Sequence, residues 1–407
     1  MKSKLTAQEK KWVLYDVGNS AFILLVTTIV PIYFNALATS AGLDSVEYLA
    51  YWGYAASAAT LLVALTGPVL GAVSDWQGRK KPMFLGAALL GICGCVLLGF
   101  MGGWFSFLCM FVLAKLGYSL SLIFYDSMLS DVTEPERMDN VSSQGYAWGY
   151  IGSCIPFLLC LGLVLGSGSL GLSMATAMTL AFLLTALWWL LCTQPLLRCY
   201  RQKNYVSGHV HPFSQLWRTL KDIAHNRQIF LFILAFFFYI DGVYTIIDMA
   251  TAYGTALGFD TTGLLLALLV TQIVAFPASL IIGRLSRTVD TGRLISICVL
   301  AYCGIAVFAM FMSTQAHFWV LAVVVGMFQG GVQALSRSHF AKIIPAEKSG
   351  EYFGLLDICG KGASMLGTFT VSLISQLSGS TSLGVGAIAL FFLAGLVLFR
   401  TSLKLRE

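Results

Sequence analysis

Several ionisable side chains stand inside long apolar segments of this 407-residue chain. They are Asp16, Lys115, Asp126, Asp241, Asp248, Asp357 and Lys361. A charge in the hydrocarbon core of a bilayer is costly, so such residues usually face a cavity or a partner. Their chemistry suits the binding of a charged solute group or the relay of a proton. No nucleophile–base pair or metal-ligand spacing accompanies them in the sequence, so we expect no catalytic residue, metal or cofactor.

Asp241 and Asp248 lie two helical turns apart and therefore share one face of a helix, with Tyr244 between them. We expect this face to project into a central cavity, where the carboxylates would bind a substrate amine or relay protons. The alternative is a structural hydrogen bond to a neighbouring helix. Asp357 and Lys361 have the spacing of an intrahelical ion pair, which could instead open and pair across the two halves of the chain.

Further polar side chains extend this predicted pathway. Lys115 lies deep in its apolar segment with no obvious partner on the same helix. It indicates either an anionic group on the substrate or a partner on another helix. Gln329 and Gln333 are one helical turn apart and would offer neutral polar contacts to a solute.

A second group of polar residues stands near the ends of the apolar segments. Asp16 with Asn19, Asp126 and Arg337 could form a gate at one end of a membrane bundle. The alternative is local capping of helix ends, with Arg337 reaching out to the membrane interface.

The segments that carry these residues are predicted to be membrane helices. Hydrophobic residues make up 57% of the chain and charged residues 11%, whereas soluble domains carry about 25% charged residues. Apolar stretches that can each span a bilayer occur at 12–37, 49–73, 82–101, 104–128, 141–165, 171–193, 227–254, 262–284, 293–313, 317–341, 350–376 and 381–400. The sequence therefore predicts an all-α integral membrane protein with twelve transmembrane helices in two pseudo-symmetric six-helix bundles.

The placement of charge predicts how these helices are oriented. The net charge of +6 comes from Lys and Arg residues that cluster in alternate loops, which follows the positive-inside rule and does not indicate a nucleic-acid-binding surface. Both termini and the predicted gate are expected in the cytoplasm, with the chain crossing the plasma membrane many times. The ten cysteines lie in apolar segments or on the cytoplasmic side and are interpreted as small apolar residues.

The chain divides into two similar halves. We predict an N-terminal six-helix bundle at 1–193, a cytoplasmic linker at 194–226 and a C-terminal six-helix bundle at 227–407. The loop after the second helix contains Gly71, Asp75, Gly78, Arg79 and Lys80. The loop after the eighth helix repeats this order with Gly283, Asp290, Gly292 and Arg293. Matches at equivalent positions indicate parallel structural repeats.

These features resemble the major facilitator superfamily, and within it the autophagy-related vacuolar effluxer branch with its bacterial relatives. The matching segments are Tyr15–Phe22, Asp241–Ile247, Gly330–Ser338 and Glu351–Leu355, followed by Gly360-Lys361. The resemblance implies that helices 1, 4, 7 and 10 line the central cavity. It also implies that Asp75 pairs near helix 11 and, with its loop, holds the outward-open state.

Together the sequence predicts a secondary active transporter that moves a small polar, amino-acid-like solute by alternating access. No nucleotide-binding motif is visible, and the membrane carboxylates favour protons as the coupling ion. We expect a monomer whose partners are the solute, protons and the lipid bilayer, with no nucleic acid. Two alternatives stay open: an exporter of drugs or other hydrophobic compounds, and a membrane enzyme or lipid scramblase.

Overall fold

The computed structural model describes the backbone of residues 4–207 and 212–405. Side chains are described in the same ranges, except at positions 45, 46, 49, 251, 252, 256, 261, 262, 265 and 361–365. The described chain is built almost entirely of α-helices.

The helices follow one another with short connections. The first half contains α1 (Ala7–Ser40), α2 (Ser45–Ser74), α3 (Lys80–Leu98), α4 (Trp104–Ser127), the short α5 (Leu129–Val132), α6 (Pro135–Leu165) and α7 (Met174–Cys199). The remainder contains α8 (Pro212–His225), α9 (Arg227–Ala256), α10 (Thr261–Leu285), α11 (Thr291–Met310), α12 (Gln315–Ile343), α13 (Ser349–Ser378) and α14 (Thr381–Lys404). Eleven helices are long and apolar enough to cross a membrane in their described residues. With the 30-residue α13 in the twelfth place, the predicted all-α membrane fold is confirmed.

The two halves meet along two pairs of helices. α2 packs against α13, and α6 packs against α10. These are the second and fifth membrane helices of each half, so the interface follows the symmetry between the predicted repeats. Within the halves, α3 packs on α4 and α9 packs on α14. The limits of the two halves as independent domains stay a prediction.

One end of the bundle holds the loops rich in Lys and Arg. We call it the basic end and define it by residues 75–80, 128–142, 200–207, 212–226, 286–293 and 337–351. It is the end that the loop charges predict to be cytoplasmic.

The linker between the halves has more structure than the sequence predicts. α7 continues to Cys199, and the next residues bind the first half through Asp131, which is fully buried. The backbone N–H groups of Lys203 and Asn204 donate to Asp131 Oδ1, and the hydroxyl of Tyr200 donates to Oδ2. Burial beside this carboxylate raises the pKa of Tyr200 well above its usual value, so the phenol stays a donor.

Candidate functional site

Arg337 joins the two halves at the basic end. Its Nη1 lies 2.9 Å from Asp126 Oδ1 and its Nη2 lies 3.4 Å from Asp16 Oδ2. Asp16 and Asp126 belong to α1 and α4 of the first half, whereas Arg337 belongs to α12 of the second. The exposed fraction is 5% for the Arg337 side chain, 9% for Asp16 and 25% for Asp126. One guanidinium therefore serves two carboxylates, which leaves one negative charge in excess when both are ionised.

The guanidinium of Arg337 is also held by neutral groups. Its Nε donates to Ser142 Oγ at 2.9 Å, and its Nη2 donates to the Ser142 carbonyl at 3.0 Å. The central carbon of the guanidinium, Cζ, lies 4.7 Å from the ring centre of Trp12 and 4.5 Å from the ring centre of Tyr146. An arginine enclosed in this way does not reach out to the membrane interface, which was the alternative interpretation of this residue.

The Asp16 carboxylate has partners within the first half as well. The hydroxyl of Tyr125 donates to Asp16 Oδ2 at 2.8 Å, and Asn19 Nδ2 lies 3.4 Å from Oδ1. Asp16 is thus held by three neighbours. Among the described residues, Asp126 accepts its side-chain hydrogen bond from Arg337. The structure brings the predicted gate residues together, and we call Asp16, Asn19, Asp126 and Arg337 the gate cluster.

The Asp75 carboxylate makes a second connection between the halves. It accepts the backbone N–H groups of Gly350 at 2.8 Å and Glu351 at 2.9 Å, and it lies 3.2 Å from Lys80 Nζ. Both charged side chains are fully buried. These N–H groups belong to the first turn of α13, where no side chain of the adjoining Lys348 acts as a cap. Asp75 therefore caps a helix of the opposite half, where the helix dipole favours a negative charge.

The other residues of this loop divide into buried and exposed. Lys80 Nζ also donates to Ser349 Oγ at 2.7 Å, which strengthens the contact with α13. Gly78 has φ +74°, a left-handed conformation that glycine adopts without strain. Arg79 is exposed. Gly71 lies where α2 touches α13, since an added Cβ would overlap the carbonyl oxygen of Gly350.

We expect Gly71→Ala to open the basic end, because the new methyl group overlaps backbone that cannot move alone. Overpacking of this kind costs about 1–3 kcal/mol. Amide hydrogen exchange at the first turn of α13 should accelerate, and the apparent melting temperature in detergent should fall. Gly86→Ala is the matched control, since an added Cβ there meets nothing within 4 Å. Equal exchange in both variants would contradict the close contact between Gly71 and Gly350.

Asp139, which the sequence analysis missed, makes a third connection at the basic end. It lies in the second turn of α6 and accepts hydrogen bonds, each of 2.6 Å, from Ser338 Oγ, Lys342 Nζ and Thr291 Oγ1 of the second half. The sequence predicts that this helix begins at 141, which leaves Asp139 outside it. The helix begins earlier because Pro135 suits the first turn of a helix. No sequence pattern links Asp139 to α12, 199 residues away at Ser338.

Asp241 is enclosed within the second half. It is 1% exposed, and its Oδ1 accepts the backbone N–H of Gly367 on α13 at 3.0 Å and Thr245 Oγ1 at 3.3 Å. This is the structural hydrogen bond to a neighbouring helix that the sequence left open as the alternative. Its Oδ2 has no hydrogen-bond partner among the groups that the structure describes.

The two carboxylates on this face of α9 lie in different environments. Asp248 is exposed, whereas Asp241 is buried, so the expectation of one face open to a cavity at both positions is corrected. α13 covers Asp241 through the N–H of Gly367. Tyr244 between them is partly buried and close enough to Asp126 and Asp357 to interact with both electrostatically.

The remaining predicted pathway residues line the interior at several depths. Lys115 on α4 and Asp357 on α13 are partly buried, and both take part in interactions, as Asp248 does. Lys361 lies outside the described side chains, so its pairing with Asp357 stays a prediction. Gln333 is partly buried on α12, one turn before Arg337.

Gln329 contributes to an apolar cavity inside the second half. This cavity lies between α9, α10 and α12, and Gln329 is 3% exposed at its edge. Thr271 and Gln272 are its other polar lining residues, and the rest are apolar side chains such as Ile246 and Phe318. The sequence analysis did not single out Thr271 or Gln272, because neutral polar residues in apolar helices carry no distinct signal.

Comparison with known proteins identifies related sequences along the whole chain. The sequence profile described as "Vacuole effluxer Atg22 like" matches residues 129–405. The "Uncharacterized MFS-type transporter YxiO" of Bacillus subtilis is 39% identical, over 98% of this chain and 95% of that protein. Autophagy-related protein 22-2 of Aspergillus clavatus is 25% identical over 59% of this chain and 44% of its own length. The matched region therefore spans about half of the fungal relatives.

Solved structures of low sequence identity share the fold. The human organic anion transporter MFSD10 superposes with a TM-score of 0.72 at 14% identity, covering 97% of this chain and all of that chain. The major facilitator transporter FucP in the outward conformation gives 0.74 at 13% identity, covering 96% and 97%. A bacterial homologue of the iron transporter ferroportin, in an outward-facing state with soaked iron, gives 0.70 at 16% identity, covering 97% and 98%.

Proposed function

The chain belongs to the vacuole effluxer Atg22-like family of major facilitator transporters, and from this premise we propose that it carries a small amino-acid-like solute by proton-coupled alternating access. Its relatives and structural neighbours are transporters, and it is a transporter and not an enzyme. The observation that carries the proposal is the gate cluster, in which one buried cation closes the basic end by binding carboxylates of the opposite half.

The gate cluster joins the two halves at the end that must open when one half rocks against the other. Its ion pairs, the Asp75 cap on α13 and the Asp139 contacts all join the halves at the basic end. With the basic end in the cytoplasm, as the loop charges indicate, the described state is closed on the cytoplasmic side. Inward opening must break these contacts and expose their charges to water, where the charges are well solvated.

The choice of solute follows from the charges near the centre of the bundle. An amino-acid-like zwitterion carries an amine and a carboxylate. Asp357 would attract the amine, and Lys115 would attract the carboxylate, with Tyr244 as a hydrogen-bonding neighbour. Lys115 lies on α4 of the first half, whereas Tyr244 on α9 and Asp357 on α13 belong to the second half.

A hydrophobic-compound exporter is the second candidate. The observation that favours it is the cavity between α9, α10 and α12, whose lining is apolar apart from Thr271, Gln272 and Gln329. Ligand pockets for drug-sized compounds have this composition, with a few polar groups that fix orientation.

We assign the coupling proton to Asp126. It shares Arg337 with Asp16, it is the more exposed of the two carboxylates, and it therefore can exchange protons while the cluster is assembled. Protonation would remove the excess negative charge and the attraction to Nη1, which loosens the contact between the halves. Asp241, for which the sequence predicts a proton-relay role, is closed off by Gly367 and Thr245 in the described state.

We expect Asp126→Asn to uncouple transport from the proton gradient. Purified protein in liposomes would first be screened for thermal stabilisation by amino acids, sugars, nucleosides and drugs, since a ligand of the native state raises stability. Uptake of the stabilising solute driven by an imposed pH gradient should then fall roughly tenfold or more, a change that needs only about 1.4 kcal/mol. Solute exchange at equal pH should persist.

Asp241→Asn serves as the matched control, because it also neutralises one intramembrane carboxylate. It should weaken the contact between α9 and α13 and lower the melting temperature while pH-driven uptake is retained. The reverse result, with uptake lost only in the Asp241 variant, would move the coupling role to Asp241. Stabilisation by hydrophobic drugs and by no amino acid would favour the exporter.

A further inference from the structure

α8 presents three chemically different faces around its axis. One face is buried and contains Gln215, Thr219 and Ile223. A second face contains Phe213, Trp217 and Leu220, whose exposed fractions are 64%, 62% and 41%. These positions follow the spacing of one helical stripe. A third face contains the exposed cations Arg218 and Lys221.

The buried face fixes α8 to the bundle. Gln215 Nε2 donates to Glu351 Oε2 on α13 at 3.0 Å, and Lys348 Nζ lies 3.3 Å from Asp222 Oδ2. α8 also packs against α2 and α9. Because this face holds α8 against the bundle while Phe213, Trp217 and Leu220 stay exposed, the apolar stripe is directed away from the bundle.

The position of α8 places this stripe at the level of the membrane surface. α8 ends at His225, and Asn226 caps the membrane helix α9 through the N–H of Ile229 at 3.2 Å. Phe230 in the first turn of α9 is 47% exposed, as a lipid-facing residue would be. The apolar stripe therefore lies beside the first lipid-facing turn of α9, where aromatic side chains are favoured in membrane proteins.

The exposed cations Arg218 and Lys221 of α8 lie next to its apolar stripe. Lys221 Nζ lies 5.7 Å from the ring centre of Trp217, so charge and aromatic surface reach the same place. Arg218 and Arg227 are exposed nearby, while the acidic Asp222 is paired with Lys348. An amphipathic helix with aromatic residues and adjacent cations matches the two layers of an anionic membrane surface, its acyl chains and its phosphates.

We propose that α8 is an interfacial helix that binds anionic phospholipids of the leaflet at the basic end. Phe213, Trp217 and Leu220 insert among the acyl chains, and Arg218 and Lys221 bind the lipid phosphates. Since the opposite face of α8 holds Glu351, next to the Asp75 cap, a bound lipid supports the contact that closes the basic end.

Trp217 supplies the test, because its fluorescence is quenched by brominated lipid that touches it. The full chain would be placed in phosphatidylcholine vesicles containing either brominated phosphatidylglycerol or brominated phosphatidylcholine. The difference between the wild type and Trp217→Phe isolates this one tryptophan among the nine. We expect about twofold stronger quenching by the anionic lipid, because each cation near the membrane attracts negative headgroups.

The double variant Arg218→Gln/Lys221→Gln should lose this preference and keep the quenching by phosphatidylcholine. Arg400→Gln/Lys404→Gln is the matched control, since both residues are exposed on α14 at the same end of the bundle. Phosphatidylglycerol should also raise the melting temperature of the wild type more than that of the α8 variant. Equal quenching by the two lipids, or a Trp217 signal that neither quenches, would overturn the proposal. Neither readout depends on transport.

Discussion

Arg337→Gln is expected to open the basic end and abolish transport. The variant leaves the buried Asp16 and the partly buried Asp126 with no guanidinium between them. Removing one partner of a buried ion pair typically costs about 3–5 kcal/mol, because the remaining charge is uncompensated. The loss also removes the guanidinium donors to Ser142 Oγ and to the Ser142 carbonyl, while Ser142 Oγ still donates to the Ala334 carbonyl. No other residue of the chain is expected to give a larger effect at this site.

The effect would be measured as a fall in the apparent melting temperature and as faster amide exchange at the start of α6. Arg337→Lys should recover little, since an ammonium cannot bind two carboxylates and Ser142 at once in the same plane. By contrast, Arg337→Gln/Asp16→Asn should regain stability relative to the single variant, because it removes one of the stranded charges.

Arg400→Gln removes an exposed charge at the same end of the bundle and should change neither readout. If Arg337→Gln melted and exchanged like this control, the gate cluster would not hold the halves together. Transport lost without any change in exchange would instead indicate that Arg337 binds the solute.

The fold could be predicted because a lipid bilayer allows few backbone structures to cross it. Long apolar segments with few charges must form helices that satisfy their own backbone hydrogen bonds. The repeated loop sequence then indicated two equivalent halves, and the contacts of Gly71 with Gly350 and of Gly283 with Ser143 lie at equivalent positions. α8 was missed because its charged residues lower its mean hydropathy. The periodicity of its apolar stripe was nevertheless visible in the sequence.

The gate cluster was accessible to sequence reasoning for a physical reason. A charged residue within an apolar helix, such as Asp16, Asp126 or Arg337, requires a partner of opposite charge, and all three stand near the basic end of the bundle. The position of Asp241 was harder to predict, because a buried carboxylate can accept its hydrogen bonds from any donor on a neighbouring helix. The backbone N–H of Gly367, which it uses, has no side-chain signature in the sequence. Partner choice across helices depends on packing, which one sequence does not specify.

Asp75→Ala should also shift the carrier away from the state closed at the basic end. The substitution strands Lys80, whose side chain is fully buried, and removes the acceptor for the N–H groups of Gly350 and Glu351. A stranded buried charge costs about 3–5 kcal/mol, and a lost helix cap costs a further 0.5–2 kcal/mol, roughly. Because Asp75 belongs to the first half and α13 to the second, most of this loss falls on the closed state.

Amide exchange reports the Asp75 contact directly, since Gly350 and Glu351 donate the hydrogen bonds in question. Peptides covering the first turn of α13 should exchange faster in Asp75→Ala. Arg79→Ala should leave them protected, because Arg79 is exposed although it belongs to the same loop motif. The double variant Asp75→Ala/Lys80→Met should recover part of the stability while α13 stays unprotected, because it removes the stranded charge but does not restore the cap. Protection retained in Asp75→Ala would mean that α13 is capped without the first half, and the closed state would then rest on the gate cluster and Asp139.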